Sequence, residues 1–104
     1  MIAACQRVVP VCIRADYRIG LEQALDVTWV HVHVHRWSAA VARQIARDGN
    51  IIMALHGGPI YATSHEPHGG DDNKLAKFLK HFGFEYLDTI HAGGSDHPIY
   101  IRRR

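Results

Sequence analysis

The sequence is short of cysteine and lacks both a long apolar run and the glycine motifs that bind nucleotide phosphates. Its two cysteines, Cys5 and Cys12, form no CxxC pair, so we expect free thiols rather than a disulfide. No window approaches the ~18 apolar residues of a membrane span, and the first residues do not show the pattern of a signal peptide. Walker A, GxGxxG and GxSxG motifs are missing as well, which argues against the enzyme classes that depend on them. We therefore expect a cytoplasmic chain without a membrane partner.

Charge of either sign is modest. Ten acidic and twelve basic residues among 104 give a formal net charge of +2, a balance that by itself predicts no acidic partner. The only dense basic cluster is the tail Arg102-Arg103-Arg104, and no aromatic residue interleaves it. Nucleic-acid binding is therefore not indicated beyond that tail. An apolar fraction of 47% at this length predicts one folded domain over residues 1–104.

The clearest local signal is an amphipathic helix at residues 71–84. Four apolar residues recur at helical spacing and share one face: Leu75, Phe78, Leu79 and Phe82. Asp71 or Asp72 is placed to cap the amino end of the helix. Gly83 followed by Phe84 is typical of a left-handed carboxyl cap. The pattern predicts both ends of this helix as well as its buried face.

The remaining patterns predict alternating strands and helices. In order they are a strand at 7–13, a helix at 14–25, a strand at 27–37, a helix at 39–47, strands at 51–55 and 59–64, a loop at 65–70, and strands at 85–90 and 98–103. A five-residue loop at 92–96 joins the last two strands. This order predicts an α/β or α+β fold, in which helices flank a mixed, mostly antiparallel sheet.

Two of these segments leave an alternative open. Residues 27–37 alternate valine and histidine, yet their valines also fit a helical stripe; three consecutive Val-His pairs favour the strand. Asp48-Gly49-Asn50 is expected to break the fourth element. The alternative is a helix that persists to His56 and is capped by the following glycines.

Nine histidines raise the question of a metal site. On a strand, His31, His33 and His35 would share one face, with ~6.6 Å between successive neighbours. Neighbouring imidazoles at this spacing can chelate zinc, but three in a straight row cannot all reach one ion. The simpler interpretation is that the valines face inward and the imidazoles face solvent. We keep the three histidines as a candidate metal site.

Residues from 59 onward resemble the last third of the GNAT acyltransferase superfamily. In that family a helix of the form N-x-x-A-x-x-x-Y-x-x-x-G-F is followed by two antiparallel strands. Here Asp72 holds the asparagine position, Leu75 the small-residue position and Leu79 the tyrosine position, and Gly83-Phe84 ends the motif. The combination looks most like the small GNAT-like proteins of tailed bacteriophages. The resemblance covers the C-terminal half of the chain and implies a truncated GNAT-like fold.

The resemblance also implies where acetyl-CoA would bind. GNAT enzymes hold its pyrophosphate with the backbone amides of a Q/R-x-x-G-x-G/A loop at a helix start. If Arg36 opens that loop, Ala39 and Val41 take the glycine positions, and their β-carbons would crowd the phosphates. Leu79 has no proton to give to the departing CoA thiolate. We therefore predict no catalytic residue.

The resulting hypothesis is a non-catalytic GNAT-like module without a cofactor. It would bind protein partners in multiple copies, as a minor virion or assembly component of a tailed phage, located in the cytoplasm or the virion. One alternative is an acetyl-CoA-dependent N-acetyltransferase, with a histidine or Glu85 as acid or base. The other is a histidine-rich metal-binding module.

Overall fold

The computed structural model describes residues 8–63 and 72–104, and for residues 72–76, 92 and 95 it describes the backbone only. Within these ranges the elements are β1 (Val8–Ile13), β2 (Tyr17–Ala24), β3 (Val27–Val34), α1 (Ala39–His56), β4 (Ile60–Thr63), α2 (Asp72–His81), β5 (Glu85–Ala92) and β6 (Ser95–Arg102). The predicted loop at 65–70, Cys5, Asp71 and the side chains of Asp72 and Leu75 lie outside the described part, so the predicted amino-terminal cap of α2 does as well. Neither described helix is both long and apolar enough to cross a membrane.

The strands form one sheet in the order β1-β2-β3-β4-β6-β5. Its neighbouring strands run antiparallel, except that β3 and β4 run parallel and are connected through α1. The core cluster joins Tyr17 and Ile19 of β2 to Val41 and Ile45 of α1 and to Phe82 of α2. Both helices therefore pack on the same side of the sheet. The predicted mixed, mostly antiparallel sheet with helices is confirmed.

The segment predicted as a helix at 14–25 is instead the strand β2. Tyr17 and Ile19 are 0% and 2% exposed, whereas Arg18 between them is exposed, which is the alternation of a half-buried strand. The spacing of Tyr17, Leu21 and Leu25 imitated a helix, but Leu25 lies in the hairpin turn to β3 and is 81% exposed. Residues 27–34 form a strand, as the valine–histidine alternation predicts.

The break predicted at Asp48-Gly49-Asn50 does not occur. α1 runs from Ala39 through His56, and Gly57 caps it in the left-handed conformation, with its amide 3.0 Å from the Met53 carbonyl oxygen. The predicted strand at 51–55 is therefore wrong, and the alternative of a persisting helix is right. Tertiary contacts hold the polar stretch in the helix: Asp48 is bonded in the core, and Arg102 donates to the Asn50 side-chain oxygen at 2.5 Å. These contacts outweigh the weak helix propensity of Gly49.

The carboxyl end of α2 has the predicted cap. Gly83 has a φ of +86°, its amide donates to the Lys80 carbonyl, and the Phe84 amide donates to the Leu79 carbonyl at 2.9 Å. This is a Schellman motif. The turn between β5 and β6 is tighter than predicted, because Gly93 and Gly94 both take positive φ and close a two-residue hairpin. Residues 92, 95 and 96, assigned to a loop from the sequence, extend the paired strands.

Candidate functional site

The parallel seam between β3 and β4 is the weakest junction of the sheet. Its strands share a single register pair, Trp29 with Tyr61, whereas β3 is matched with β2 along its whole length. Among the described residues, β3 beyond Trp29 therefore has no partner strand on its β4 side. Because both strands run in the same direction, this stretch of β3 without a described partner, which we call the gap, lies toward their carboxyl ends. In open α/β sheets this is the end where ligands bind, at the point where the strand order reverses.

The amino end of α1 lies at the same end of the sheet, just after β3. Ser38 is the N-cap, and its hydroxyl accepts from the Val41 amide at 3.0 Å, while its carbonyl accepts from Ala42. The amides of Ala39 and Ala40 have no partner in the described part of the chain. The first turn also contains no acidic residue. Two free amides and an uncompensated positive dipole end suit a phosphate group.

The three residues predicted to hold a cofactor are all found at this helix start. Arg36 and Ala39 are exposed, and the Arg36 amide is anchored on the Asp16 carbonyl at 3.2 Å. Val41 is only 3% exposed, and its side chain packs in the core against the sheet. The crowding expected from its β-carbon is thus absent, since the side chain points away from the free amides. The methyl group of Ala39 is the one exposed departure from the glycine pattern.

The wall facing this helix start is aromatic. Trp37 packs edge-to-face on Phe78 of α2, with ring centroids 5.0 Å apart, and Phe78 packs in turn on Phe82 at 4.4 Å. Leu79, at the tyrosine position of the GNAT pattern, is 7% exposed and belongs to the apolar packing of α2, as predicted. No proton donor is therefore available from Leu79 itself.

The three candidate metal ligands are not brought to one point. His31 Nε2 lies 2.8 Å from Glu22 Oε1 on the neighbouring strand, and the Glu22 side chain is 11% exposed. His33 and His35 contact each other instead, with ring centroids 4.8 Å apart. The described residues contain no group of three or more histidine, cysteine, aspartate or glutamate side chains arranged to hold a metal ion. Val30 and Val34 pack against the core, as the inward-valine interpretation predicts.

We call the exposed side of β2 and β3 the histidine face; it carries Arg18, Glu22, His31 and His33. These residues alternate with the core residues and so lie opposite the helices. The pairing of Glu22 with His31 could not be seen while residues 14–25 were interpreted as a helix. The signal that could have found it is the alternation of Tyr17, Ile19 and Leu21.

A second polar cluster lies away from the gap and was also missed. Asp48 of α1 is 6% exposed and accepts from Arg14 Nε at 3.0 Å and Nη2 at 2.9 Å, from the Tyr17 hydroxyl, and from the Cys12 thiol at 3.3 Å. The hydrogen bonds from Arg14, assisted by those of Tyr17 and Cys12, hold the pKa of Asp48 well below its ordinary value. Burial and the Asp48 carboxylate raise the pKa of Tyr17 to about 12. The lowered pKa of Asp48 identifies its pairing with Arg14 as a structural ion pair. Neither Asp48 nor Tyr17 has a pKa suited to proton transfer near neutral pH.

Two hollows in the surface do not serve as the site. The apolar cleft between the helices and the sheet encloses about 50 Å³, room for a few water molecules but far too little for a ligand of ordinary size. A polar hollow of about 360 Å³ lies at the opposite end of α1, beside Asn50 and Gly57. The arginine tail lines this hollow, but two of its side chains already have partners within the chain. Arg102 Nε donates to the Arg104 carbonyl oxygen at 2.6 Å, and Arg103 Nη1 lies 4.0 Å from Glu85 Oε2.

Comparisons with solved structures identify the fold. The chain is similar to a Bordetella pertussis protein assigned to the GnaT family of acetyltransferases (12% identity, TM-score 0.63, covering 84% of this chain and 57% of the other). It is similar to the ribosomal-protein-S5-alanine acetyltransferase of Vibrio fischeri (13%, 0.62, 85% and 54%). It is also similar to the anti-CRISPR protein AcrVA5 (14%, 0.65, 90% and 96%). No family model matches, and neither does any curated protein sequence.

These neighbours show a GNAT-like fold across most of the chain, so the predicted restriction of the resemblance to the C-terminal half is wrong. The chain spans little more than half the length of the two acetyltransferases but nearly all of AcrVA5. The hypothesis of a non-catalytic structural module is overturned as well, because the neighbours include named acetyltransferases. The particular likeness to phage proteins and the expectation of no cofactor find no support among them.

Proposed function

We propose that this protein is an N-acetyltransferase that carries an acetyl group from acetyl-CoA to an amine. One observation carries the proposal: no described residue of β4 is paired with β3 beyond Trp29, toward the end where α1 presents its free amides. A GNAT-like fold with named acetyltransferases among its neighbours supports the same interpretation. The residues fit the pyrophosphate better than the sequence suggests, because Val41 is turned into the core.

The helix start would hold the diphosphate, with Ala39 and Ala40 donating their amides and Arg36 adding a charge near them. The part of β3 beyond Trp29, which no described residue of β4 pairs, would supply backbone groups to which the two amides of the pantetheine arm can hydrogen-bond. Such pairing resembles the addition of a strand to a sheet edge. It would place the thioester in the gap beside β3.

The reaction needs a proton acceptor for the attacking amine. A C–N bond forms between the amine and the acetyl carbonyl carbon, the C–S bond breaks, and the sulfur leaves as a thiolate. We assign the proton to Nδ1 of His31, because Glu22 engages Nε2 and so fixes the tautomer that leaves Nδ1 free. Glu85, the other candidate from the sequence, begins the edge strand β5 opposite Ile101, two strands away from β4 and three from β3 in the sheet.

The absence of a tyrosine at Leu79 does not prevent this chemistry. A thiol has an ordinary pKa of about 8.5, so its thiolate is a tolerable leaving group that water can protonate. A positioned acid or base contributes on the order of 10²–10⁴ in rate, whereas positioning two reactants can contribute more. The loss of one donor therefore slows an acetyltransferase without removing its basis.

Isothermal titration with acetyl-CoA tests the first step, and absence of binding at millimolar ligand would remove the proposal. Transfer of the acetyl group is tested by mass spectrometry of an amine panel that contains a lysine peptide, a peptide with a free N-terminus and a polyamine.

We expect His31→Gln to lower kcat/KM by about 100-fold while acetyl-CoA affinity is unchanged. His56→Gln is the matched control, because His56 is an exposed histidine at the other end of α1. Equal loss in both variants would contradict the role of His31.

A second candidate function, metal binding, rests on the contact between His33 and His35. The imidazoles of His33, on β3, and of His35, just after β3, have centroids 4.8 Å apart and can share a late transition metal ion, although Arg18 opposite His33 opposes a cation there. Metal analysis of untagged protein, with His33→Ala as the control, tests it. Fewer than ~0.2 equivalents of zinc retained against a chelator would exclude a functional site of the kind that binds structural zinc.

A further inference from the structure

Trp37 is the most unusual exposed residue of the helix start. It is 55% exposed, although large aromatic side chains are normally well covered. It directly precedes the N-cap Ser38, so it stands next to the free amides of the first turn. Its exposure at this place points to a partner that covers it.

The ring is held in position while it is exposed. Trp37 meets Phe78 at an interplanar angle of 84°, and Phe78 meets Phe82, which is 9% exposed and part of the core. In an edge-to-face contact the two rings are nearly perpendicular, so at least one face of the indole stays uncovered by Phe78. The indole is therefore a rigid surface, which a flat ligand can use without a large cost in side-chain entropy.

The other tryptophan of the chain provides the contrast. Trp29 packs on Tyr61 with centroids 5.7 Å apart and donates its Nε1 hydrogen to the Ala24 carbonyl at 2.9 Å. Both its apolar body and its polar atom are used within the fold. The Nε1 hydrogen of Trp37 has no partner in the part of the chain that the structure describes, so it is available to a ligand.

We propose that Trp37 is the platform on which the adenine ring of acetyl-CoA stacks. Adenosine is joined directly to the pyrophosphate, so a pyrophosphate on Ala39 and Ala40 brings the base within reach of the preceding residue. Stacking on an aromatic face is a general mode of base binding that needs no specific hydrogen bond. The inference rests on the proposed function, and it makes Trp37 a binding residue for the nucleotide half of the substrate.

Two ligands separate the roles of the nucleotide and of the acyl arm: acetyl-CoA, and S-acetyl-pantetheine, which lacks the adenine and the pyrophosphate. By isothermal titration we expect Trp37→Ala to weaken acetyl-CoA binding by about 10-fold, which equals about 1.4 kcal/mol. The affinity for S-acetyl-pantetheine should not change. Trp37→Phe, which keeps an aromatic face and the contact with Phe78, should retain most of the acetyl-CoA affinity.

Leu55→Ala is the matched control, because Leu55 is an apolar residue of the same helix that is 83% exposed at its far end. It should leave both affinities as they are. Tryptophan fluorescence in a Trp29→Phe background gives a direct reading, since stacking should quench the emission of Trp37 as acetyl-CoA is added.

The inference is overturned if Trp37→Ala binds acetyl-CoA like the parent, or if it loses both ligands in the same proportion. Either result would leave acetyl-CoA binding itself intact in the parent protein. A parent protein that binds no acetyl-CoA would instead remove the proposed function, and the stacking role with it. The two failures are therefore distinct.

Discussion

Replacing Asp48 by asparagine should destabilise the protein more than any other single change of charge among the described residues. Asp48→Asn keeps the size of the side chain but removes the carboxylate that Arg14, Tyr17 and Cys12 all engage. The asparagine side chain offers only one acceptor oxygen, and its NH₂ group would face the hydrogen-bond donors that now bind the carboxylate. A hydrogen bond to a charged group contributes about 1.5–3 kcal/mol.

The size of the destabilisation depends on which partners of Asp48 can form hydrogen bonds with water instead. The Arg14 side chain is 52% exposed, so solvent compensates much of its loss, whereas Tyr17 is 0% exposed and its hydroxyl has no route to solvent. We expect a loss of about 2–4 kcal/mol in the free energy of unfolding, below the usual cost of breaking a fully buried pair. For a chain of this size that lowers Tm by roughly 10 °C or more.

Urea denaturation followed by circular dichroism measures the effect, with Asp96→Asn as the control. Asp96 is also paired, with His91, but the two side chains are 71% and 75% exposed, so the midpoint should stay unchanged.

Because the folded pKa of Asp48 is depressed below the ordinary 3.8, its stabilisation is present above that pH and is lost as the pH falls further. The parent and variant curves should therefore converge in acid. A loss of less than about 0.5 kcal/mol in the free energy of unfolding at neutral pH would refute the reasoning, since that is the range of ordinary surface substitutions.

Three further changes test other parts of the fold. Tyr17→Phe should remove an alkaline loss of stability: the pKa of Tyr17 is raised by burial from 10 to about 12, so the parent loses stability between those pH values and the variant should not. Ser38→Ala deletes the acceptor of the Val41 amide and should cost about 1 kcal/mol in urea, with Ser38→Gly nearer to the parent. Leu25→Asn should raise the unfolding free energy by about 0.5–1 kcal/mol, because Leu25 has a φ of +55° that asparagine tolerates better; an unchanged midpoint would show that the turn is unstrained.

Elements whose signals are local were predicted well from the sequence. The carboxyl cap of α2 depends on Gly83 and Phe84 alone, and the valine–histidine alternation of β3 is a property of consecutive residues. Where two local patterns competed, the outcome differed: the alternation at residues 27–34 predicted β3 correctly, whereas the spacing at residues 14–25 wrongly favoured a helix. The residues of β2 fit a helix by spacing and a strand by alternation, and only its pairing with β3 settles the matter.

The candidate site was predicted only in part, because a local pattern locates residues along the chain whereas packing and strand register decide where their side chains lie. Arg36, Ala39 and Val41 could be located from a pattern, but the direction of the Val41 side chain depends on how α1 packs. The partner of His31 depends on cross-strand register, which places Glu22 beside it only once both strands are known. Asp48 looked like a helix breaker because its three partners come from 31 or more residues earlier in the chain.

The single register pair between β3 and β4 also bears on how the chain folds and fluctuates. It divides the sheet into two units that are each continuous in sequence, β1-β2-β3 with α1 and β4-β6-β5 with α2. Within each unit the strands are joined by antiparallel ladders, whereas the two units are joined by the single register pair of β3 with β4 and by core packing such as that of Phe82 with Tyr17 and Ile19 of β2. Hydrogen exchange should therefore report two cooperative blocks, with the facing amides of β3 and β4 exchanging before either block opens.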